Sequence, residues 1–244
     1  MSIDTNKKTV GIIGGMGPGA TALLFQKLID YTDAKSDAEH MHIVIDNNTA
    51  IPDRTAAILK GENTPALRIV ESGKKLEMCG AELLLIPCNT SHYFYGEIEE
   101  QLSVPVVNMI AETAKVCLKH GYQKIGILAT TGTCNTDTYG RELKKFGIDA
   151  VYPDQSGQEK VMEVIYDQVK AGRKINVQIL EQTLKRMAAQ GAQAFILGCT
   201  ELSFAIKNGD FGYHFLDSLD ILAKRAVELA GYRLKKVKLI RWRK

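Results

Sequence analysis

Apolar positions in this chain fall in short unbroken runs, separated by stretches in which apolar residues recur every three or four positions. The runs are "TVGIIGG", "MHIVIDN" and "AELLLIP" in the first half, and "QKIGILATT", "DAVYPD" and "AQAFILG" in the second. A run of that length reads as a strand buried on both faces, and the wider spacing reads as amphipathic helix. Helices are expected from about Ala20 to Tyr31, Thr64 to Cys79, His92 to Leu102, Ile110 to His120 with Gly121 as cap, and Tyr139 to Phe146. Two more cover about Gln158 to Gln190, "PVVNM" reads as a further short strand, and "IPDRT" reads as loop. Such alternation implies an α/β fold with mainly parallel sheets and helices on both faces.

The order of elements repeats. "QKIGILATTGT" has the pattern of the opening "KTVGIIGGMGP", and in each half the third strand ends on a cysteine, Cys88 or Cys199. Gly80-Ala81 precedes Cys88 by the interval at which Gly191-Ala192 precedes Cys199. A period of half the chain is far longer than a solenoid repeat and fits two similar α/β domains facing each other. They are placed at residues 1–109 and 110–210, with residues 211–244 giving a short strand and a long amphipathic helix that packs back on the first domain.

Composition narrows the class. The chain has 244 residues, of which 45% are hydrophobic, as in an ordinary globular protein. Its apolar runs stop well short of the roughly 18 residues that read as a membrane span, and Met1-Ser2-Ile3-Asp4 lacks the basic-then-apolar order of a signal peptide, so a cytoplasmic location is expected. Five cysteines without metal-type spacing read as free thiols and argue against a zinc site. The net charge of +3 hides an asymmetry, because Arg233 to Lys244 holds seven basic and no acidic residues, leaving the rest at −4. A short basic terminus reads as solvated chain, so neither nucleic acid nor membrane is expected as a partner.

Ligands of open α/β sheets bind beyond the carboxyl ends of the strands, which puts Cys88 and Cys199 on a shared cleft. Each lies near a helix start, where Thr90 or Ser91 and Thr200 are candidate amino caps and the local field lowers a thiol pKa. Two opposed thiols suit racemisation: a thiolate takes a proton from one face of a carbon acid while a thiol supplies one to the other. Asn89, Thr90, Thr130, Thr133 and Thr200 are donors by type for the carboxylate charge that develops. Cys79 and Cys117, inside helical patterns, read as small buried hydrophobes, and Cys134, just after the Thr-Gly-Thr loop, is not counted among the site thiols.

The motifs "GIIGGMGP", "IPDRT", "PCNTSH" and "GCTEL", spread over most of the chain, resemble the cofactor-independent aspartate/glutamate racemase superfamily, and the opening resembles its aspartate branch. Glutamate racemases open with Asp-Ser-Gly and place His after the second Cys-Thr, where this chain has Gly14-Gly15-Met16 and Glu201. The resemblance implies two Rossmann-like domains with the site between them, no pyridoxal phosphate, no metal, a small amino-acid substrate and a homodimer. By position, Cys88 and Cys199 match the catalytic pair. Arg54 and Lys170 match basic residues that hold an acidic side chain, and Met16 is expected beside the substrate. Aspartate is the expected substrate, with a broad-specificity amino-acid racemase, hydantoin racemase and maleate isomerase as alternatives. From other classes, Gly15-Met-Gly17-Pro-Gly19 offers a weak dinucleotide-type loop, and the two-domain cleft would also serve a non-catalytic carboxylate sensor.

Overall fold

The computed structural model describes residues 7–206 and 210–235. Among these residues seven parallel strands form two sheets. The first contains β1 (Val10–Gly14), β2 (Ile43–Asn47) and β3 (Leu83–Leu85) in the order β2-β1-β3. The second contains β4 (Lys124–Ala129), β5 (Asp149–Val151), β6 (Ala194–Gly198) and β7 (Phe215–Asp217) in the order β5-β4-β6-β7. Each half therefore sets its second strand, first strand and third strand side by side in that order, which is the repeat expected from the sequence. Every residue of β1, β3 and β6 is buried, as the apolar runs require of strands covered on both faces.

The helices of the first half are α1 (Pro18–Tyr31), α2 (Arg54–Lys60), α3 (Thr64–Met78) and α4 (Tyr95–Gln101). Then follow α5 (Met109–Lys119), α6 (Thr131–Asn135), α7 (Thr138–Lys144) and α8 (Gln155–Met162), which runs on as a π-helical segment, Glu163–Lys170. The last three are α9 (Glu181–Ala189), α10 (Thr200–Ala205) and α11 (Ser218–Leu229). Alternate residues of a strand feed opposite cores. Val10 and Ile12 pack with Leu24, Leu85, Leu222 and Ala226, whereas Ile13 packs with Ile69, Leu84 and Ile86.

Four expectations change. The closing stretch is shared between the halves: β7 pairs with β6 in the second sheet, whereas α11 with Tyr232 and Leu234 covers the first. "PVVNM" reduces to a single parallel bridge between Val106 and Leu84. Pro105 has no N–H to extend the ladder, and Asn108 already turns to cap α5, its Oδ1 accepting from the Ala111 N–H at 3.0 Å. Arg54 opens a helix instead of lying in a loop, because Asp53 caps α2 by accepting from the Ala56 N–H at 2.8 Å. Cys79 lies exposed at the end of α3, whereas Cys117 is buried as expected. Of the basic terminus, residues 236–244 lie outside the described residues, and the Lys235 N–H bonds the Tyr31 carbonyl at 2.7 Å. No helix among the described residues is long and apolar enough to cross a membrane.

Candidate active site

Cys88 leaves the end of β3 in a loop that both halves hold. The Met109 N–H donates to His92 Nε2 at 3.1 Å, so the proton of this ring sits on Nδ1 and is donated to the Cys88 carbonyl at 2.9 Å. Burial holds the His92 pKa below the ordinary histidine value, which keeps the ring neutral. His92 is thus a satisfied structural group. Tyr139, from the second half, donates its hydroxyl to Asn89 Oδ1 at 2.5 Å. The amide nitrogen of Asn89 is left buried without a partner. Thr90 Oγ1 meets Thr130 Oγ1 at 3.0 Å and Thr133 Oγ1 at 3.2 Å, closing a triangle of hydroxyls across the two halves. Thr90 and Thr200 make no side-chain cap, contrary to expectation, because their hydroxyls are taken by Thr130 and by Glu201.

Arg54 and Met16 complete the first half's share. Gly15 takes a left-handed φ of 91°, and a side chain there would strike the Asn48 backbone. The turn directs the Met16 carbonyl to Arg54 Nη2 at 3.0 Å, while Arg54 Nη1 donates to the Pro52 carbonyl at 3.0 Å and the Ile51 carbonyl at 3.4 Å. The Nε–H is buried and has no partner, so it remains for a ligand, while Cys88 lies beside the guanidinium. Burial works against the charge of Arg54, but Cys88 and Asp53 beside it outweigh that and raise its pKa.

On the opposite wall, Cys199 follows β6, and its thiol donates to Glu201 Oε2 at 2.9 Å. Burial and then the Glu201 carboxylate push the Cys199 pKa well above the ordinary thiol value. This reverses the expectation of a lowered pKa at that helix start: α10 has only six residues, and a full negative charge beside the sulfur outweighs its weak dipole. Lys170 Nζ lies 3.9 Å from both Asp53 Oδ2 and Glu201 Oε1, and 4.0 Å from the centre of the Tyr166 ring. Tyr166 donates to Asp53 Oδ2 at 3.0 Å.

These groups line one cavity: Met16, Arg54, Cys88, Asn89 and Thr90 from the first half, and Thr130, Lys170, Cys199 and Thr200 from the second. Of the residues expected at the site only Thr133 is missing from the lining, standing behind Thr90 and Thr130. Asp53, Thr55, Tyr166 and Glu201 also line it and were not foreseen as site residues, although Glu201 adjoins the Cys199-Thr200 motif. The cavity is nearly closed, at about 10 Å³, room for roughly one water. Asp53, Arg54, Lys170 and Glu201 also face an outer pocket of about 650 Å³ whose walls include Pro18, Val169, Ile175 and Phe204. Cys134 lies elsewhere, in a third pocket beside Gln158, its thiol pushed up to about 12 by burial. No group of three His, Cys, Asp or Glu side chains among the described residues could hold a metal.

Two α/β halves close on a buried, charge-lined cavity, and the matches to known proteins give the class: an enzyme, an isomerase of the racemase type. The chain belongs to the Asp/Glu/hydantoin racemase family, whose model matches residues 13–226. It is 31% identical over 222 residues to the broad specificity amino-acid racemase RacX of Bacillus subtilis (strain 168), covering 89% of this chain and 96% of that one. The aspartate racemase of Picrophilus torridus is similar at 33% identity and a TM-score of 0.83, over 94% of this chain and 96% of its own. An aspartate racemase homologue from Pyrococcus horikoshii OT3 is similar at 29% identity and a TM-score of 0.76, over 91% and 99%.

Proposed function

We propose that this chain racemises aspartate without pyridoxal phosphate, using Cys88 and Cys199 as paired acid and base. The observation that carries the reading is one thiol from each half lining a single cavity that also holds Arg54 and Lys170. In one direction the Cys88 thiolate takes the α-hydrogen. Negative charge then develops on the α-carboxylate, where the unpartnered Asn89 amide donates, and the Cys199 thiol returns a proton to the opposite face. Leaving that amide buried without a partner costs on the order of 1–3 kcal/mol, which a bound carboxylate would recover. Arg54, with its Nε–H unpartnered, and Lys170 hold the side-chain carboxylate.

One observation favours a second reading, a racemase of broader range. Lys170 already shares its charge between Asp53 and Glu201, and the adjoining outer pocket has apolar walls suited to uncharged side chains. Chiral chromatography of L-aspartate, L-glutamate, L-leucine, L-methionine, a hydantoin and maleate, each incubated with the protein and no added cofactor, separates the readings. Conversion of aspartate alone, or far faster than the others, supports the first. Comparable rates across the amino acids support the second, and conversion of only the hydantoin or maleate rejects both.

A further inference from the structure

Among the lining residues that the paired-thiol chemistry leaves unused, Glu201 accepts a hydrogen bond from a cysteine thiol. Its side chain is only 8% exposed, and its two oxygens face different partners. Oε2 accepts from the Cys199 thiol at 2.9 Å and from the Thr200 hydroxyl at 3.4 Å, and Oε1 faces Lys170 Nζ at 3.9 Å. Glu201 lines both the closed cavity and the outer pocket. With room for about one water, that cavity gives Cys199 little bulk solvent to trade protons with. We infer that Glu201 is the proton relay of Cys199, the group through which this thiol exchanges its proton with solvent between turnovers.

The inference rests on the two-thiol reading, and proton balance shows why a relay is needed. In the direction that uses Cys88 as base, a C–H bond of the substrate breaks and an S–H bond forms on Cys88. The S–H bond of Cys199 breaks and a new C–H bond forms on the other face. The enzyme is left with a thiol at Cys88 and a thiolate at Cys199, and cannot repeat that direction until Cys88 has given its proton to water that enters as product leaves and Cys199 has regained one. At Cys199, Glu201 takes a proton from solvent in the outer pocket and passes it from Oε2 to the sulfur, becoming a carboxylate again. The opposite direction runs the same transfer backwards.

The surroundings suit this task. A carboxylate beside a thiolate is a like-charge pair, so the thiolate at Cys199 draws a proton back readily. Lys170 faces Glu201 and offsets part of that repulsion, while Asp53, Arg54, Tyr166 and Cys88 are the other ionisable groups around the cavity. Asp53 and Tyr166 are joined to each other, and Arg54 is tied to backbone carbonyls on the Cys88 side, so none of them contacts the Cys199 sulfur by a described hydrogen bond.

The test is Glu201→Gln, which keeps the shape but carries no carboxyl proton, with Glu201→Asp as the conservative variant. Rates are followed from low to saturating concentration of each enantiomer. A relay acts on the free enzyme between turnovers, so kcat should fall roughly tenfold or more while kcat/KM changes less than about threefold, with Asp recovering part of kcat. Equal losses in kcat and kcat/KM, or no loss in either, would overturn the relay. Cys88→Ala and Cys199→Ala are measured alongside. If either stays active the two-thiol reading fails, whereas if both are inactive and Glu201→Gln shows no split, only the relay fails. Thermal midpoints of both Glu201 variants separate these outcomes from loss of the fold, and the Asp variant carries the test if the Gln variant does not fold.

Discussion

The two halves place matching cysteines at matching strand ends and then surround them with opposite charge. Cys88 has the Arg54 guanidinium beside it, and Cys199 has the Glu201 carboxylate. Topology is repeated, but the electrostatics are not. A symmetric pair of thiols would have no preferred proton, since each would hold it equally. Here burial and the Glu201 carboxylate hold Cys199 as a thiol, whereas Cys88 faces a cation, so the two sulfurs are not equivalent. The difference comes from single positions: Arg54 follows the β2 strand of the first half, and Glu201 lies in the first turn of α10 in the second.

The largest way to break the comparison is to remove either sulfur. Cys88→Ala and Cys199→Ala should each lower kcat/KM by at least about a thousandfold, with circular dichroism and thermal midpoint little changed. Retention of full activity by either would remove its thiol from the mechanism. A smaller effect sharpens the contrast between the two cations. Lys170→Met should raise KM for aspartate roughly tenfold, about 1.4 kcal/mol, while leaving a neutral amino acid nearly unaffected. Equal changes for both substrates would assign Lys170 to the wall and not to the side-chain carboxylate.

The smallest effect concerns the fold that holds Cys88. His92 is buried neutral, with its folded pKa below the ordinary value near 6.5. Between those two values the unfolded chain carries the extra proton, so stability there rises with pH. The His92 contribution is complete above about pH 6.5 and is lost as pH falls, with a slope of up to about 1.4 kcal/mol per pH unit. Denaturant titrations at several pH values should show that slope, and His92→Asn should flatten it while lowering stability at neutral pH. An unchanged slope in the variant would place the acid sensitivity elsewhere.

The strands and both cysteines were legible in the sequence because parallel strands covered on two faces leave unbroken apolar runs. Arg54 and Lys170 lie more than a hundred residues apart, and only the family resemblance joined them before the structure placed both in one cavity. Glu201 was in plain view two positions after Cys199, yet an acid in the first turn of a helix is usually solvated, and nothing local says that this one is buried against a sulfur. Asp53 and Tyr166 were hidden for another reason, since their contact spans 113 positions. "PVVNM" was misread because its composition is that of a strand, while Pro105 and the capping by Asn108 leave room for only one bridge.

The most direct measurement of the paired-thiol account is the fate of the α-hydrogen. Protiated L-aspartate is incubated with the protein in deuterated water without cofactor, and the enantiomers are separated and weighed by mass spectrometry early in the reaction. Two monoprotic bases on opposite faces predict D-aspartate carrying one deuterium at the α-carbon while the remaining L-aspartate stays protiated. D-Aspartate that retains the original hydrogen would mean that a single group removes and returns it, and would contradict the account.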